Sequence, residues 1–188
     1  MKQRKRGYKL KKNIFVIGLT GGIASGKSQV ESFLSEMGFP VIDGDKVNRA
    51  LLEKGKTGYK KVIAKFGAEF LLPNKDLNKE KLGEAIFNNT KQKKSLENIL
   101  HPLIKKSIED EIEKLEKKKC NFVVYSNPIM IEGKFDYICD KIILVTASKK
   151  ERIKRLKKRN GFTEVFAKKN HKYSNERRSK KGKSRHCN

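Results

Sequence analysis

Gly21-Gly22-Ile23-Ala24-Ser25-Gly26-Lys27-Ser28 is the stretch whose reading decides the fold. Before it lies the apolar run Ile14-Phe15-Val16-Ile17-Gly18-Leu19, which predicts a strand buried on both faces of a parallel sheet. After it, Val30, Phe33, Leu34 and Met37 recur at helical spacing, and Gly38 closes that helix. Phe39-Pro40-Val41-Ile42-Asp43 reads as a second short strand that ends in acids. Strand, glycine loop, helix and strand in about 30 residues make a βαβ unit.

The loop fits G-x-x-x-x-G-K-[ST] at every fixed position. Its glycines permit backbone angles and a close approach that side chains would block, so successive N–H groups can surround a β-phosphate. The following helix points its positive end at the same anion. Gly22, Ala24, Ser25, Gly26, Lys27, Ser28 and Gln29 are therefore the candidate nucleotide contacts. Lys27 is expected to reach the β- and γ-phosphates of ATP, and the Ser28 hydroxyl is the candidate Mg²⁺ ligand.

Working outward, residues 46–119 read mostly as helix, with apolar faces at Val62, Ile63, Phe66 and Phe70, at Leu82, Ala85, Ile86 and Phe87, and from Leu96 to Leu115. So long a helical run between strands predicts a helical insertion rather than a plain crossover. Phe122-Val123-Val124-Tyr125 and Lys141-Ile142-Ile143-Leu144-Val145 are two further strands. Ser148 is a plausible N-cap for the basic helix 149–159. After Lys169 the apolar periodicity stops, and there are no internal repeats.

The 188 residues give room for one α/β domain with a sizeable core. No run approaches the roughly 18 apolar residues of a membrane span. The basic start, residues 1–12, is followed by too short an apolar segment for an export signal. Cys120, Cys139 and Cys187 are odd in number and lack metal-ligand spacing, which suits a reducing cytoplasm.

A net charge of +25 invites a nucleic-acid reading, but +7 of it lies in residues 1–12 and +8 in residues 168–188. A Lys-rich composition, a surface that gathers a polyphosphorylated ligand, and nucleic-acid binding all remain open on charge alone. The expectation is no specific nucleic-acid partner and no membrane partner.

Three further groups carry chemistry. Asp43-Gly44-Asp45 sits at the carboxyl end of the second strand, where open α/β sheets place their ligands, and an acid there can take a proton from an attacking hydroxyl or cap the next helix. Arg152, Arg155 and Arg159 share a helix face and suit phosphates, or form a solvated basic face. In His101-Pro102 the proline fits the first turn of a helix, and the histidine is structural or functional.

These residues together resemble one family, dephospho-coenzyme A kinase. Thr20 to Ser28 is similar to that family's form of the P-loop, and Val41-Ile42-Asp43-Gly44-Asp45 with Arg49 resembles its V-x-D-A-D-x-x-x-R segment. Phe66-Gly67, Ile86-Phe87, Leu100-His101-Pro102, Pro128-Ile129-Met130-Ile131-Glu132 and Arg159-Asn160 follow in the same order. The resemblance implies a P-loop NTPase-type α/β fold, with a parallel sheet flanked by helices, over residues 13–169. It also implies a helical CoA-binding insertion at about 46–119 and a lid at about 148–165. The implied reaction is ATP-dependent phosphorylation of the ribose 3′-hydroxyl of dephospho-CoA, the last step to coenzyme A. Asp45 would be the base, and Lys27 and Arg159 would stabilise the transferring phosphoryl group. Arg49, His101, Pro128 and Glu132 would line the dephospho-CoA side along with Asp45. Another nucleoside or nucleotide kinase, or an inactive nucleotide-binding remnant, is the alternative; the oligomeric state is left open.

Three departures stand out. Gln29 replaces the Thr usual after the loop Ser, and Ser126-Asn127 stands where an Asp-containing pair is common. The family's closing helix, Ala-Asp-apolar strand and final helix are missing from the tail. In one permissible set of codons Ser184-Arg185-His186-Cys187-Asn188 is AGC-AGA-CAT-TGT-AAT, and a shift of one base gives Ala-Asp-Ile-Val. The hypothesis is a frameshift after Lys169, which would make 170–188 non-native and leave the sheet with an unpaired apolar edge. Sequencing the underlying DNA should recover the family-like frame; a locus with no such frame would refute the hypothesis.

Overall fold

The computed structural model describes residues 12–160. Strands β1 (Phe15–Gly21), β2 (Val41–Asp43), β3 (Phe122–Ser126) and β4 (Lys141–Val145) form one parallel sheet in the order β2-β3-β1-β4. The predicted strands are therefore all present. Parallel neighbours cannot be joined by tight turns, so the chain crosses over through helices. Helix α1 (Lys27–Glu36) joins β1 to β2. Four helices occupy the interval between β2 and β3: α2 (Gly44–Leu51), α3 (Thr57–Phe66), α4 (Lys79–Asn88) and α5 (Thr90–Lys117). Helix α6 (Lys149–Asn160) follows β4.

Because β2 lies beyond β3 while β4 lies on the other side of β1, the chain leaves β1 and β3 in opposite directions. A crevice opens at their carboxyl ends, the position where open α/β sheets bind ligands. The glycine loop and the Asn127 turn flank it, and the Asn127 N–H donates to the Leu19 carbonyl at 3.0 Å to tie the two ends together.

The core follows the sequence periodicity. On α5, Leu100, Ile104, Ile108 and Ile112 recur every fourth residue and are all buried, forming a seam against α2, α3 and α4. Val16, Val123 and Tyr125 continue that core into the sheet. Helix starts are set by short polar side chains. Asn78 accepts from Lys81 N–H, Asn89 from Lys91 and Gln92 N–H, and the predicted cap Ser148 from Glu151 N–H. Each such cap contributes about 1 kcal/mol.

Four details differ from the sequence reading. Pro102 stands well inside α5 rather than in a first turn; the buried Leu100 and Ile104 on either side hold the helix through it. No residue of α1 is fully buried, and Phe33 and Met37 are exposed although they carry helical spacing. Among the described residues β4 is an edge strand, so Ile142, Ile143 and Leu144 are exposed despite their buried-strand pattern.

Finally, Lys12, at the end of the segment read as a basic extension, is built into the domain. Its nearly buried ammonium pairs with Asp140, whose carboxylate also accepts from the Val16 N–H at 2.8 Å. Removing one partner of such a pair costs about 3–5 kcal/mol, because the other charge is stranded. The rest of that extension and the tail at 170–188 lie outside the described residues. No helix among the described residues is long and apolar enough to cross a membrane.

Candidate functional site

The glycine loop leaves β1 at Gly21 and returns into α1 at Lys27. To make that turn, Ala24 and Gly26 both adopt left-handed backbone, at φ 57° and φ 100°. A side chain at Gly26 would be strained by its φ and would also meet the Arg155 guanidinium at 3.0 Å. Gly21 is equally restricted, since a Cβ there would lie 2.5 Å from Ser25 Oγ and 2.9 Å from the Val145 carbonyl. Ser25 Oγ is buried and has no hydrogen-bond partner among the described residues. Such an orphan is costly unless a ligand or water completes it.

Two arginines of α6 hold the loop from outside. Arg152, itself buried, donates from Nε to the Ile23 carbonyl at 2.8 Å. Arg155 donates from Nη1 to the Ser25 carbonyl at 3.0 Å and to the Ala24 carbonyl at 3.4 Å. A loop that turns amides inward turns carbonyls outward, and those carbonyls need donors. By charge and spacing this arginine face suits phosphates; the structure assigns Arg152 and Arg155 to the loop's own backbone. Arg159 lies on the same helix, in its last turn, and its side chain is outside the described residues.

Lys27 is largely shielded at the head of α1. Its ammonium donates to Ser126 Oγ at 2.7 Å and to Glu31 Oε1 at 2.9 Å. In the sequence Ser126 stands out only as a departure and Glu31 is missed, although its spacing of four from Lys27 is a signal for a helix ion pair. Ser28 and Gln29 are exposed in the first turn of α1, with Gly22, Ala24 and Gly26 partly exposed beside them.

The two acids at the end of β2 do different things. Asp43 caps α2, accepting from the N–H groups of Asp45 at 2.8 Å and Lys46 at 3.2 Å. Asp45 is left exposed at the site. Its pKa is raised, first by loss of hydration and next by the negative charge of Asp43; Lys27 and Arg49 act against this. Those couplings place Asp45, Lys27 and Arg49 in one electrostatic neighbourhood, with Arg49 a turn further along α2. Gly44 lets this turn press on β3: a Cβ there would lie 3.2 Å from both the Ser126 carbonyl and Asn127 Nδ2.

Asn127 is buried and organises the next loop. Its Nδ2 donates to Tyr125 Oη at 2.6 Å, and its Oδ1 accepts from Ile129 N–H at 2.9 Å. Pro128 follows, half-buried, and Glu132 is exposed. His101 sits on α5 with its ring edge-on to Phe135 at 5.3 Å, which brings it against the turn after Glu132. Desolvation lowers its pKa, so the neutral imidazole is favoured.

A family model described as CoaE, dephospho-CoA kinase, matches residues 15–185, running past residue 169 where the motif resemblance ends. A dephospho-CoA kinase of Geobacillus kaustophilus is 39% identical over 151 residues, covering 80% of this chain and 75% of that protein. One from Bacillus cereus is 38% identical over 152 residues, covering 81% and 76%. Among solved structures, dephospho-CoA kinase from Campylobacter jejuni has a TM-score of 0.62 at 26% identity, covering 90% of this chain and 85% of that one. A Thermus thermophilus structure, TT1252, aligns with a TM-score of 0.74 at 24% identity, over 92% and 86% of the two chains, which supports the fold.

The charge of Asp43 is separable from its capping role, because Asn caps a helix as well as Asp does. Asp43→Asn should keep α2 intact and lower the pKa of Asp45. Followed by carboxyl-carbon NMR of Asp45, its titration midpoint should move to lower pH; an unchanged midpoint would contradict the electrostatics described here.

Proposed function

This chain belongs to the dephospho-CoA kinase family, and from that premise we propose how its residues divide the work of phosphorylating dephospho-CoA with ATP. The reaction converts ATP and dephospho-CoA to ADP and CoA, with the ribose 3′-hydroxyl as the acceptor. The backbone amides from Gly22 to Gln29 receive the β-phosphate, helped by the positive end of α1. Lys27 stabilises the charge on the γ-phosphoryl group, and Arg159 on the α6 lid shares that role. The hydroxyl of Ser25, buried inside the loop and without a hydrogen-bond partner among the described residues, supports an anion there.

Asp45 takes the proton of the attacking hydroxyl as the oxygen–phosphorus bond forms and the bond to the β-phosphate oxygen breaks. The observation that carries this assignment is the split between two neighbouring acids. Asp43 is consumed by the helix cap, while the Asp45 carboxylate accepts no hydrogen bond among the described residues and has its pKa raised. A base works best when its pKa approaches the working pH, so the shift has the right sign. Arg49, His101, Pro128 and Glu132 line the dephospho-CoA side, with helices α2 to α5 as the substrate-binding part.

Mg²⁺ fits this donor set. In P-loop enzymes it is held by the loop Ser or Thr and an acid, together with substrate phosphates and several waters. The exposed Ser28 hydroxyl beside the loop is the group that would hold it. When bound, the ion neutralises phosphate charge. Cys120 and Cys139 form no disulfide among the described residues, and unpaired thiols suit the cytoplasm as the compartment.

Asp45→Asn should lower kcat on dephospho-CoA by about 10²–10⁴-fold, the usual worth of a positioned base, while ADP affinity is unchanged. Full turnover in that variant would remove Asp45 from the mechanism. Wild-type turnover on adenosine equal to that on dephospho-CoA would remove the substrate assignment.

A further inference from the structure

Lys27 does not point freely into the loop. It is the first residue of α1, and its ammonium is held by Glu31 one turn along the same helix and by Ser126 at the end of β3. Both side chains of the ion pair are largely shielded, at 14% exposure for Lys27 and 16% for Glu31. A pair this sheltered is screened less than a surface pair, so it is a real competitor for the lysine's charge. Ser126 is fully buried and neutral, so among the described residues the full negative charge bonded to Lys27 is that of Glu31. Two of the three ammonium N–H donors are thereby committed within the protein.

From this geometry we propose that Glu31 is a positioning residue that latches Lys27 in a self-neutralised state and weakens the hold of the site on nucleotide di- and triphosphates. The inference rests on the reading of Lys27 as the phosphate contact. A β-phosphate can gain the full charge of Lys27 only by drawing it from Glu31. Once it does, the freed carboxylate lies near the phosphate as a like charge. Both effects oppose binding, and both reverse when ADP leaves, so the latch favours release of that product. Glu31 also bears on Asp45, the proposed base, as the smallest of the charges that raise its proton affinity.

Glu31→Gln keeps the size and removes the charge. We expect it to tighten ADP and ATP by about tenfold, equivalent to about 1.4 kcal/mol, with AMP affinity unchanged, because AMP has no β-phosphate for Lys27 to reach. The measurement is calorimetric titration of the full chain with ADP and AMP. Equal tightening for AMP, or weaker ADP binding, would overturn the latch, the second result showing that Glu31 prepares Lys27 for phosphate. Should Glu31→Gln not fold, the carboxyl-carbon resonance of Glu31 in the wild-type chain decides the same question. It should shift on adding ADP and stay in place on adding AMP. A resonance that ignores ADP refutes the latch. Failure of the nucleotide reading itself looks different: the wild-type chain would not bind ADP at all.

Discussion

A phosphate-binding loop works by turning its backbone N–H groups inward, and that requirement turns its carbonyls outward. Everything else at this site depends on how those carbonyls are satisfied. Arg152 and Arg155 reach across from α6 to the carbonyls of Ile23, Ala24 and Ser25, so a helix more than a hundred residues later in sequence fixes the shape of the first loop. Guanidinium suits this task because its several donors are rigidly placed and always charged. The same positive charge sits behind the cradle and raises the potential at which an anion would bind. The loop and α6 are thereby one structural unit, and α6 is also the helix that carries Arg159.

The sheet supplies the opposite wall. Parallel order β2-β3-β1-β4 brings the ends of β1, β2 and β3 to one edge of the sheet, so Lys27 reaches Ser126 at 2.7 Å and the charge of Lys27 bears on Asp45. Gly44 suits the close contact, since a Cβ there would crowd the Ser126 carbonyl and the Asn127 amide at 3.2 Å. Below this, the α5 seam of Leu100, Ile104, Ile108 and Ile112 anchors the helices that carry Arg49 and His101. Packing thus holds the charged groups in register, and phosphoryl transfer depends chiefly on such positioning.

Much of this is legible in the sequence because it rests on local rules. The strands β1, β3 and β4 follow from apolar runs, the loop from its glycine spacing, and the start of α6 from Ser148. What stays hidden depends on tertiary contact. Asp43 and Asp45 look alike in sequence, and only the observed cap separates the structural acid from the exposed one. Arg152 and Arg155 read as phosphate ligands or as a solvated basic face, because charge and spacing alone cannot show which oxygen a guanidinium meets. Glu31 is legible as a helix partner of Lys27, yet its importance comes from Ser126 on another strand. Pro102 misleads because its usual place is a first turn, whereas buried neighbours on both sides keep it inside α5.

At the centre stands the proposal that the amides of residues 22–29 enclose the nucleotide's β-phosphate. Amide nitrogen–proton NMR of the labelled chain, recorded with and without ADP, tests it most directly. The largest shifts are expected on Gly22 to Gln29. ADP binding detected by calorimetry with those amides unmoved would contradict it.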